Sequence, residues 1–156
     1  MAQTQVAPPT KAQTETAIRW LRDEHLDELG GFSGFYCNRS IIRRAARGGE
    51  MRVLTEGRKV IGLAVFNQYG IDIFEIRPGY RRAGYGRSFA QHIIQDLFAR
   101  GSTALNVDCV PQESERFWRA LGFVDQEERY RSSGKTELVL RGPWPNNSFK
   151  PNPLRA

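Results

Sequence analysis

Residues 71–101 read IDIFEIRPGYRRAGYGRSFAQHIIQDLFARG and decide the fold. The first six residues are rich in β-branched and aromatic side chains, which favour a strand. Because Pro78 cannot donate a hydrogen bond to a neighbouring strand, we expect the strand to end near Ile76. From Ser88 onward, apolar residues recur at the spacing of one helical face, and Gly101 is typical of a residue that follows a helix. The stretch therefore predicts a buried strand, a basic turn and an amphipathic helix.

The turn between the predicted strand and helix is rich in arginine and glycine. Its four guanidinium groups, with no acidic residue among them, belong to Arg77, Arg81, Arg82 and Arg87. Gly84 and Gly86 allow backbone amides to approach a ligand closely, and the first turn of the helix directs its free N–H groups the same way. These features are typical of a site for a phosphorylated ligand. Composition alone also fits a solvated basic loop.

The order of residues in the turn favours the first interpretation. The pattern R-x-x-G-x-G at residues 81–86 resembles the acyl-CoA pyrophosphate loop of the GNAT superfamily of N-acetyltransferases. Pro78, Tyr80 and the flanking elements fall where that family has them. The turn is not the dinucleotide-binding G-x-G-x-x-G, because no third glycine follows in register, nor a phosphate loop ending in Gly-Lys-Ser/Thr. A second segment, residues 117–123, resembles the Phe-Tyr-x-x-Leu-Gly-Phe segment of the same family.

Length and composition limit the class of protein. A chain of 156 residues is expected to form one domain, and its formal net charge of +6 favours acidic or phosphorylated ligands. No apolar run approaches the ~20 residues that span a bilayer, and the N-terminus lacks an apolar signal core. We therefore expect a cytoplasmic protein with no membrane partner.

Metal binding and disulfide formation are not expected from the sequence. The two cysteines, Cys37 and Cys109, are far apart and lack Cys-x-x-Cys spacing. His25 and His92 are the two histidines, and they cannot form a metal cluster on their own.

Hydrophobic periodicity and turn residues predict three parts of the chain. Met1–Thr16 is predicted to be a mobile leader, and the proline-rich residues Gly142–Ala156 a tail outside the core. Between them, the predicted elements are a strand at Ala17–Arg22, a short helix capped by Asp23, a helix capped by Asn38, strands at Met51–Thr55 and Lys59–Phe66, the strand and helix of residues 71–101, a parallel strand at Thr103–Val110, a helix at Gln112–Leu121, and strands near Phe123–Gln126 and Thr136–Arg141.

This order of elements is similar to the GNAT fold over residues 17–141. The resemblance implies an α/β (α+β) domain with a mixed, mostly antiparallel sheet of about seven strands and about four flanking helices. The tail, residues 142–156, resembles a translated recombination site of bacterial integron gene cassettes. That second resemblance implies a bacterial origin and nothing about chemistry.

The GNAT resemblance implies where acetyl-CoA binds. In that family, the strand matching Ile71–Ile76 separates from the one matching Thr103–Val110, and pantetheine enters the gap. Backbone amides of residues 82–87 would bind the pyrophosphate, and a main-chain N–H near Phe74 or Ile76 would polarise the thioester carbonyl. The cofactor-binding residues implied are Phe74, Ile76, Arg81, Arg82, Ala83, Gly84, Tyr85, Gly86 and Arg87.

The catalytic candidates are Asp72, Phe74, Ser114 and Trp118. Strand alternation places Asp72 with Phe74 and Ile76, on the side where relatives carry catalytic groups, so we prefer it to Glu75 as the base. Pairing with a neighbouring arginine is the alternative for Asp72. Trp118 stands where relatives have a tyrosine that protonates the thiolate, but an indole cannot release a proton at neutral pH. Water or Ser114 is then the candidate donor, unless the thiolate leaves without one.

The leading hypothesis is an acetyl-CoA-dependent N-acetyltransferase, which transfers the acetyl group directly to a primary amine in a ternary complex. The acceptor could be a small-molecule amine or a peptide, and the chain could form a homodimer, as relatives frequently do. The substitution at Trp118 motivates one alternative, a non-catalytic acyl-CoA-binding module. Nucleic-acid binding through the arginines of the helix after Asn38 is disfavoured, because no aromatic residues interleave with them.

Overall fold

Seven β-strands and four α-helices make up the part of the chain that the computed structural model describes, residues 3–27, 35–128 and 134–142. The elements in chain order are β1 (Thr4–Ala7), α1 (Lys11–Asp27), a 3₁₀ turn (Tyr36–Asn38), α2 (Arg39–Arg47), β2 (Met51–Glu56), β3 (Lys59–Asn67), β4 (Gly70–Ile76), α3 (Tyr85–Ala99), β5 (Ala104–Asp108), α4 (Ser114–Ala120), β6 (Val124–Asp125) and β7 (Glu137–Arg141). The predicted α+β class, with about seven strands and four helices, is confirmed.

The strands form one sheet in the order β1-β2-β3-β4-β5-β7-β6. All neighbours are antiparallel except β4 and β5, which are parallel, and the predicted meander of β2, β3 and β4 is confirmed. The β4–β5 pairing is restricted to Gly70 and Asn106, with a further hydrogen bond from the Asn106 N–H to the Tyr69 carbonyl at 2.8 Å. Gly70 is required there, because a Cβ atom would lie 2.1 Å from the Asn106 carbonyl oxygen. Beyond this point the two strands separate.

Helices cover both faces of the sheet and bury two apolar clusters. On one face, Phe89 and Ile93 of α3 and Trp118 of α4 pack against the sheet. On the other face, Leu21 of α1 and Ile42 of α2 do the same. Each large apolar side chain buried in this way contributes roughly 1.5–3 kcal/mol to folding. The cores therefore hold α3 and α1 at fixed positions on either side of the sheet opening.

The prediction for the N-terminus is wrong in two respects. The predicted mobile leader contains β1, which pairs with β2, and the predicted strand and helix at residues 17–29 are replaced by the single helix α1, which begins at Lys11. The buried residues of α1 follow a helical spacing, and they include Thr14, Ala17, Ile18 and Leu21. Thr10 and Gln13 form a capping box, in which each side chain accepts a hydrogen bond from the other residue's N–H, at 2.9 and 3.1 Å.

Other element boundaries shift by a few residues. α3 begins at Tyr85, before the predicted Ser88, and α4 begins at Ser114 and not at Gln112. Asn38 precedes α2 as predicted, but its side chain makes no capping hydrogen bond. The predicted tail lies outside the described residues apart from Gly142. Within the described ranges, no helix combines the length and the apolar character that crossing a membrane requires.

Candidate active site

A cleft of about 820 Å³ opens where β4 and β5 separate. Its walls are the second half of β4, the loop that follows, the first turn of α3, the end of β5 and the start of α4. Glu24 of α1, together with Phe35 and Lys135, adds to the lining. The cleft therefore lies at the predicted site, and it also contains residues from distant parts of the chain.

The backbone of β4 has hydrogen-bonding groups that face the cleft. The Arg77 N–H donates to the Ile61 carbonyl of β3 at 2.8 Å. Because main-chain hydrogen-bonding groups alternate in direction along a strand, the N–H and carbonyl of Glu75 also point toward β3. The N–H groups of Phe74 and Ile76 then point toward the gap, where β5 is no longer paired. The Phe74 side chain is partly buried and lines the same cleft, as does Ile76.

The N-terminus of α3 points into the cleft without a side-chain cap. Gly84 occupies the N-cap position with φ +86°, a conformation that disfavours other residues. Among the described residues, the first main-chain hydrogen bond of the helix runs from the Ser88 N–H to the Gly84 carbonyl. The N–H groups of residues 85–87 therefore lack an intrahelical partner and carry the positive end of the helix dipole. Such an arrangement can bind an anion.

The predicted cofactor-binding residues of the loop divide into two groups. Those that line the cleft are Arg81, Arg82, Gly84, Gly86 and Arg87. Ala83 is exposed outside the lining, and the Tyr85 hydroxyl donates to Glu56 at 2.5 Å, away from it. The hydrogen bond to Glu56 raises the pKa of Tyr85 above its usual value. Of these two residues, only Tyr85 contributes to the candidate anion site, through its main-chain N–H at the start of α3.

The arginines of the loop differ in their partners. Arg82 and Arg87 are exposed, and neither forms an ion pair with a described residue. Arg81 is already engaged, since its guanidinium pairs with the carboxylates of Glu24 and Glu75. Two of the three guanidinium groups that line the cleft are therefore available to a ligand.

Two carboxylates lie on opposite edges of the gap. Asp72 lies two residues beyond the paired Gly70 on β4 and Asp108 two residues beyond Asn106 on β5, and the charge of Asp108 raises the pKa of Asp72. Both line the cleft. Asp72 forms no ion pair with a described residue, and it accepts a hydrogen bond from Asn67 Nδ2 at 3.4 Å. The predicted alternative of an Asp72–arginine pair is thus wrong for this part of the chain.

The electrostatic surroundings favour a protonated form of both acids. Although Asp72 is exposed to the cleft, the surrounding protein removes part of its hydration, which raises its pKa, and the charges of Asp108 and Glu50 raise it further. Burial is also the main cause of the raised pKa of Asp108, to which Glu137 on β7 adds. The positive charge of Lys135 lowers the pKa of Asp108. A carboxylate with a raised pKa is better suited to accept a proton near neutral pH.

The predicted alternation along β4 is wrong at Asp72. Ile71 packs in the cluster beneath α3, whereas Ile73 packs in the cluster beneath α1, although simple alternation would place them on one face. The reason is a β-bulge: Val65 pairs with Ile73 and Phe66 pairs with Ile71, which leaves Asp72 as the extra residue. The bulge depends on pairing with β3 and cannot be inferred from the strand itself.

The two candidates on α4 have different surroundings. Trp118 is buried and packs edge-on against Phe74 and Phe123, with ring centroids 5.4 Å apart in both pairs. The Ser114 hydroxyl is buried beside the cleft and has no hydrogen-bond partner of proper geometry among the described residues. It is close enough to Cys109 to lower the pKa of that thiol slightly, against a larger increase caused by burial.

Two acidic residues of the cleft, Glu24 and Asp108, are not identified by the sequence patterns. Glu24 belongs to α1, whose extent differs from the prediction, whereas Asp108 lies on the polar side of a strand predicted to be parallel to β4. Phe35 and Lys135 belong to two variable loops, residues 32–38 and 128–135, which the sequence suggests as contacts for the acceptor, and both residues line the cleft. The rest of these loops lies partly outside the described residues. No group of three or more potential metal ligands occurs among the described residues.

Comparisons with known proteins agree with this geometry. The model of the acetyltransferase (GNAT) family matches residues 14–123, which is more than half of the chain. No curated protein sequence shows significant similarity. Many solved structures share the fold.

Three of these solved structures illustrate the likeness. PH1933 from Pyrococcus horikoshii OT3 superposes with a TM-score of 0.70 at 17% identity, covering 90% of this chain and 99% of its own. The PaiA N-acetyltransferase from Thermoplasma acidophilum, solved with coenzyme A, gives 0.67 at 11% identity, with 90% and 99% coverage. The ribosomal-protein-S18-alanine N-acetyltransferase from Escherichia coli gives 0.60 at 16% identity, with 88% and 91% coverage. At these identities the structures establish the fold, and the family match establishes that this chain belongs to the acetyltransferase (GNAT) family.

Proposed function

We propose that the protein is an N-acetyltransferase that moves an acetyl group from acetyl-CoA to a primary amine by direct transfer in a ternary complex. The observation that carries the proposal is the gap between β4 and β5, which opens beside the uncapped N-terminus of α3. A gap with unpaired strand groups and an adjacent anion site fits a ligand that has an extended arm and a diphosphate. Family membership independently favours a ligand of this kind.

The residues present fit acetyl-CoA. The N–H groups of residues 85–87 and the guanidinium groups of Arg82 and Arg87 would bind the diphosphate. The N–H groups of Phe74 and Ile76, directed into the gap, would hydrogen-bond the arm, and one of them would polarise the thioester carbonyl. When bound, acetyl-CoA supplies the acetyl group as an activated thioester. A cytoplasmic location, predicted from the sequence, would give the protein access to it.

Asp72 is the proposed base. An amine attacks only in its unprotonated form, and a carboxylate with a raised pKa accepts the ammonium proton more readily than an ordinary one. The position of Asp72 on the bulge, opposite Asp108, surrounds the base with negative charge, which favours uptake of a proton. The cleft also has room for an acceptor beside Phe35 and Glu24.

Protonation of the leaving sulfur requires a group other than Trp118. The indole is buried among aromatic rings and has no exchangeable proton of suitable acidity. Ser114 lines the cleft, but its hydroxyl is buried and lies close to the Cys109 thiol. We propose that water in the cleft protonates the sulfur, and that the Ser114 hydroxyl is the side-chain group that can donate in its place.

The packing of Trp118 also supports a second candidate function. If no residue can supply a proton, the chain would bind acyl-CoA without turnover and act as a binding module. The two candidates share the cofactor site and differ only in transfer.

Incubation of the protein with acetyl-CoA and a panel of amines separates the two. The panel would contain a diamine, an aminoglycoside, free amino acids and peptides with unblocked N-termini. The proposal predicts one acetyl group added to at least one amine by mass spectrometry, with matching release of free thiol. Binding of acetyl-CoA without transfer to any panel member would favour the binding module, and absence of binding would overturn both.

A further inference from the structure

Arg81 is the first residue of the R-x-x-G-x-G pattern, and its guanidinium is bound by the protein itself. Nε donates to the Ile76 carbonyl at 2.7 Å. Nη2 donates to Glu24 Oε1 at 2.6 Å and to Glu75 Oε1 at 2.8 Å. These distances are typical of charge-assisted hydrogen bonds, which are stronger than neutral ones.

The contacts of Arg81 connect three elements around the cleft. Glu24 lies near the end of α1, Ile76 ends β4, and Arg81 itself belongs to the loop that leads to α3. Glu24 is separated from Arg81 by 57 residues, so the contact joins the α1 side of the sheet to the loop on the other side. We call these four residues, Glu24, Glu75, Ile76 and Arg81, the arginine clasp.

The carboxylates of the clasp make it costly for Arg81 to leave. The side chains of Glu24 and Glu75 are each only 11% exposed. A carboxylate buried to this extent is strongly destabilising once its cationic partner is removed. Arg82 and Arg87 can bind a ligand without leaving a buried carboxylate unpaired, since neither pairs with a described carboxylate. A phosphate would therefore be bound by Arg82 and Arg87 more readily than by Arg81.

We propose that Arg81 is a positioning residue that acts through the clasp and does not contact the diphosphate. The clasp holds residues 77–84 in the conformation that presents the N–H groups of α3 to the cleft. It also ties this loop to Glu24, which lines the same cleft from α1. The inference rests on the proposed function for the identity of the ligand, but the ordering of the loop can be measured without any ligand.

Arg81→Gln and Glu24→Gln together distinguish two roles for Arg81, direct binding of phosphate and positioning of the loop. If Arg81 binds phosphate directly, Glu24→Gln removes a competing negative charge and leaves coenzyme A affinity unchanged or higher. If the clasp positions the loop, both variants weaken coenzyme A binding, by about tenfold for Arg81→Gln and about threefold for Glu24→Gln. The double variant should match Arg81→Gln alone, because the two changes disrupt one unit.

Arg43→Gln is a matched control. Arg43 of α2 forms a two-pronged ion pair with Glu15 of α1, at 2.9 and 3.0 Å, which also connects α1 to a neighbouring element. The variant loses the same charge and the same kind of contact with α1, but neither residue lines the cleft. Calorimetric titration of this variant with coenzyme A should give the wild-type dissociation constant.

Turnover and amide exchange complete the test. For Arg81→Gln, the KM for acetyl-CoA should rise about tenfold with kcat nearly unchanged, since the group does not touch the reacting atoms. Without ligand, hydrogen exchange of amides 77–87 should be faster in Arg81→Gln than in wild type or Arg43→Gln.

Tighter coenzyme A binding by Glu24→Gln, or unchanged exchange in Arg81→Gln, would overturn the positioning role of the clasp. If wild type binds no coenzyme A, the proposed function fails and the exchange measurement alone decides the clasp.

Discussion

The two sides of the cleft differ in how their charges are arranged. At the start of α3, backbone N–H groups and the side chains of Arg82 and Arg87 present positive charge without a described anionic partner. At the opening of the sheet, Asp72 and Asp108 lie on opposite edges of the gap, and the pKa of each is raised. These two arginines and two carboxylates line one cleft of about 820 Å³, and none of the four forms an ion pair with a described residue. This difference is the basis of the proposed division of roles, in which the α3 side binds an anion and the sheet side accepts a proton.

The largest effect should come from Asp72→Asn. Loss of the base should lower kcat about a hundredfold, while the affinity for acetyl-CoA stays unchanged, because the anion site is on the other side of the cleft. Initial rates and calorimetry measure the two quantities. Asp23→Asn, the same change at an exposed position of α1, serves as the control and should retain full activity. Full activity in Asp72→Asn would remove the proposed division of roles.

The same variant tests the sign of the pKa shift. Because the pKa of Asp72 is raised in the folded state, its ionisation opposes folding at pH values above that pKa. Asp72→Asn should therefore unfold at a slightly higher temperature than wild type at pH 7, and at the same temperature under acidic conditions where the carboxyl is protonated. A lower melting temperature at pH 7 would indicate that Asp72 stabilises the fold.

Substitution of Gly84 should weaken acetyl-CoA binding through the side of the cleft at the start of α3, which we call the anion side; the opening of the sheet at Asp72 and Asp108 is the proton side. Both Gly84 and Gly79 have positive φ, +86° and +92°, and a Cβ atom added to either residue would meet no other atom within 4 Å. Alanine at either residue should cost about 1 kcal/mol of folding stability, because of the left-handed backbone alone. Only Gly84→Ala should also weaken acetyl-CoA binding, by about tenfold, since Gly84 holds the first N–H groups of α3 in place. Calorimetric titration of both variants measures the affinities, and equal losses would contradict this role.

The two sides also differ in how far they can be predicted from sequence. Local patterns predict the anion side well: the strand, turn and helix of residues 71–101 are present, and Gly84 and Gly86 line the cleft. The proton side depends on distant pairings. Asp72 is displaced by a bulge that forms only against β3, and Asp108 lies across the gap from it only because β5 pairs with β4 at Asn106 and then separates.

The N-terminal error has a different physical cause. The spacing of Thr14, Ala17 and Leu21 is helical, but the short run from Ala17 to Arg22 also alternates, and the alternation conceals a helix that starts at the capping box of Thr10. β1 has four residues and is identified by its pairing with β2, which the local sequence does not specify. Without the correct extent of α1, Glu24 cannot be recognised as a partner of Arg81.

Neutralising the exposed arginines should produce a smaller effect on the anion side. Arg82→Gln and Arg87→Gln should each weaken acetyl-CoA binding about threefold to tenfold, because each removes a solvent-exposed charge from the site. Added salt should reduce the difference in acetyl-CoA dissociation constant between each variant and wild type, as measured by calorimetric titration. Arg58→Gln, in the exposed turn between β2 and β3, is the matched control and should bind like wild type. A loss in the control equal to that in the loop would point to overall charge as the cause.

The smallest expected effect is a shift in the pH dependence of the rate. Asp108 raises the pKa of Asp72, so Asp108→Asn should move the lower inflection of kcat/KM to more acidic pH. Burial and Glu50 continue to raise the pKa of Asp72 in this variant, so the shift is partial. Rate profiles across the acidic and neutral range measure it. A shift toward alkaline pH would show that the two carboxylates do not interact in this way.

A calorimetric titration with acetyl-CoA and with acetyl-pantetheine, which lacks the diphosphate and the phosphorylated adenosine attached to it, tests the central claim most directly. If the N–H groups of α3 bind the diphosphate, acetyl-CoA should bind one-to-one and at least about tenfold more tightly than acetyl-pantetheine. Equal affinity for the two compounds, or no heat of binding with acetyl-CoA, would contradict the claim.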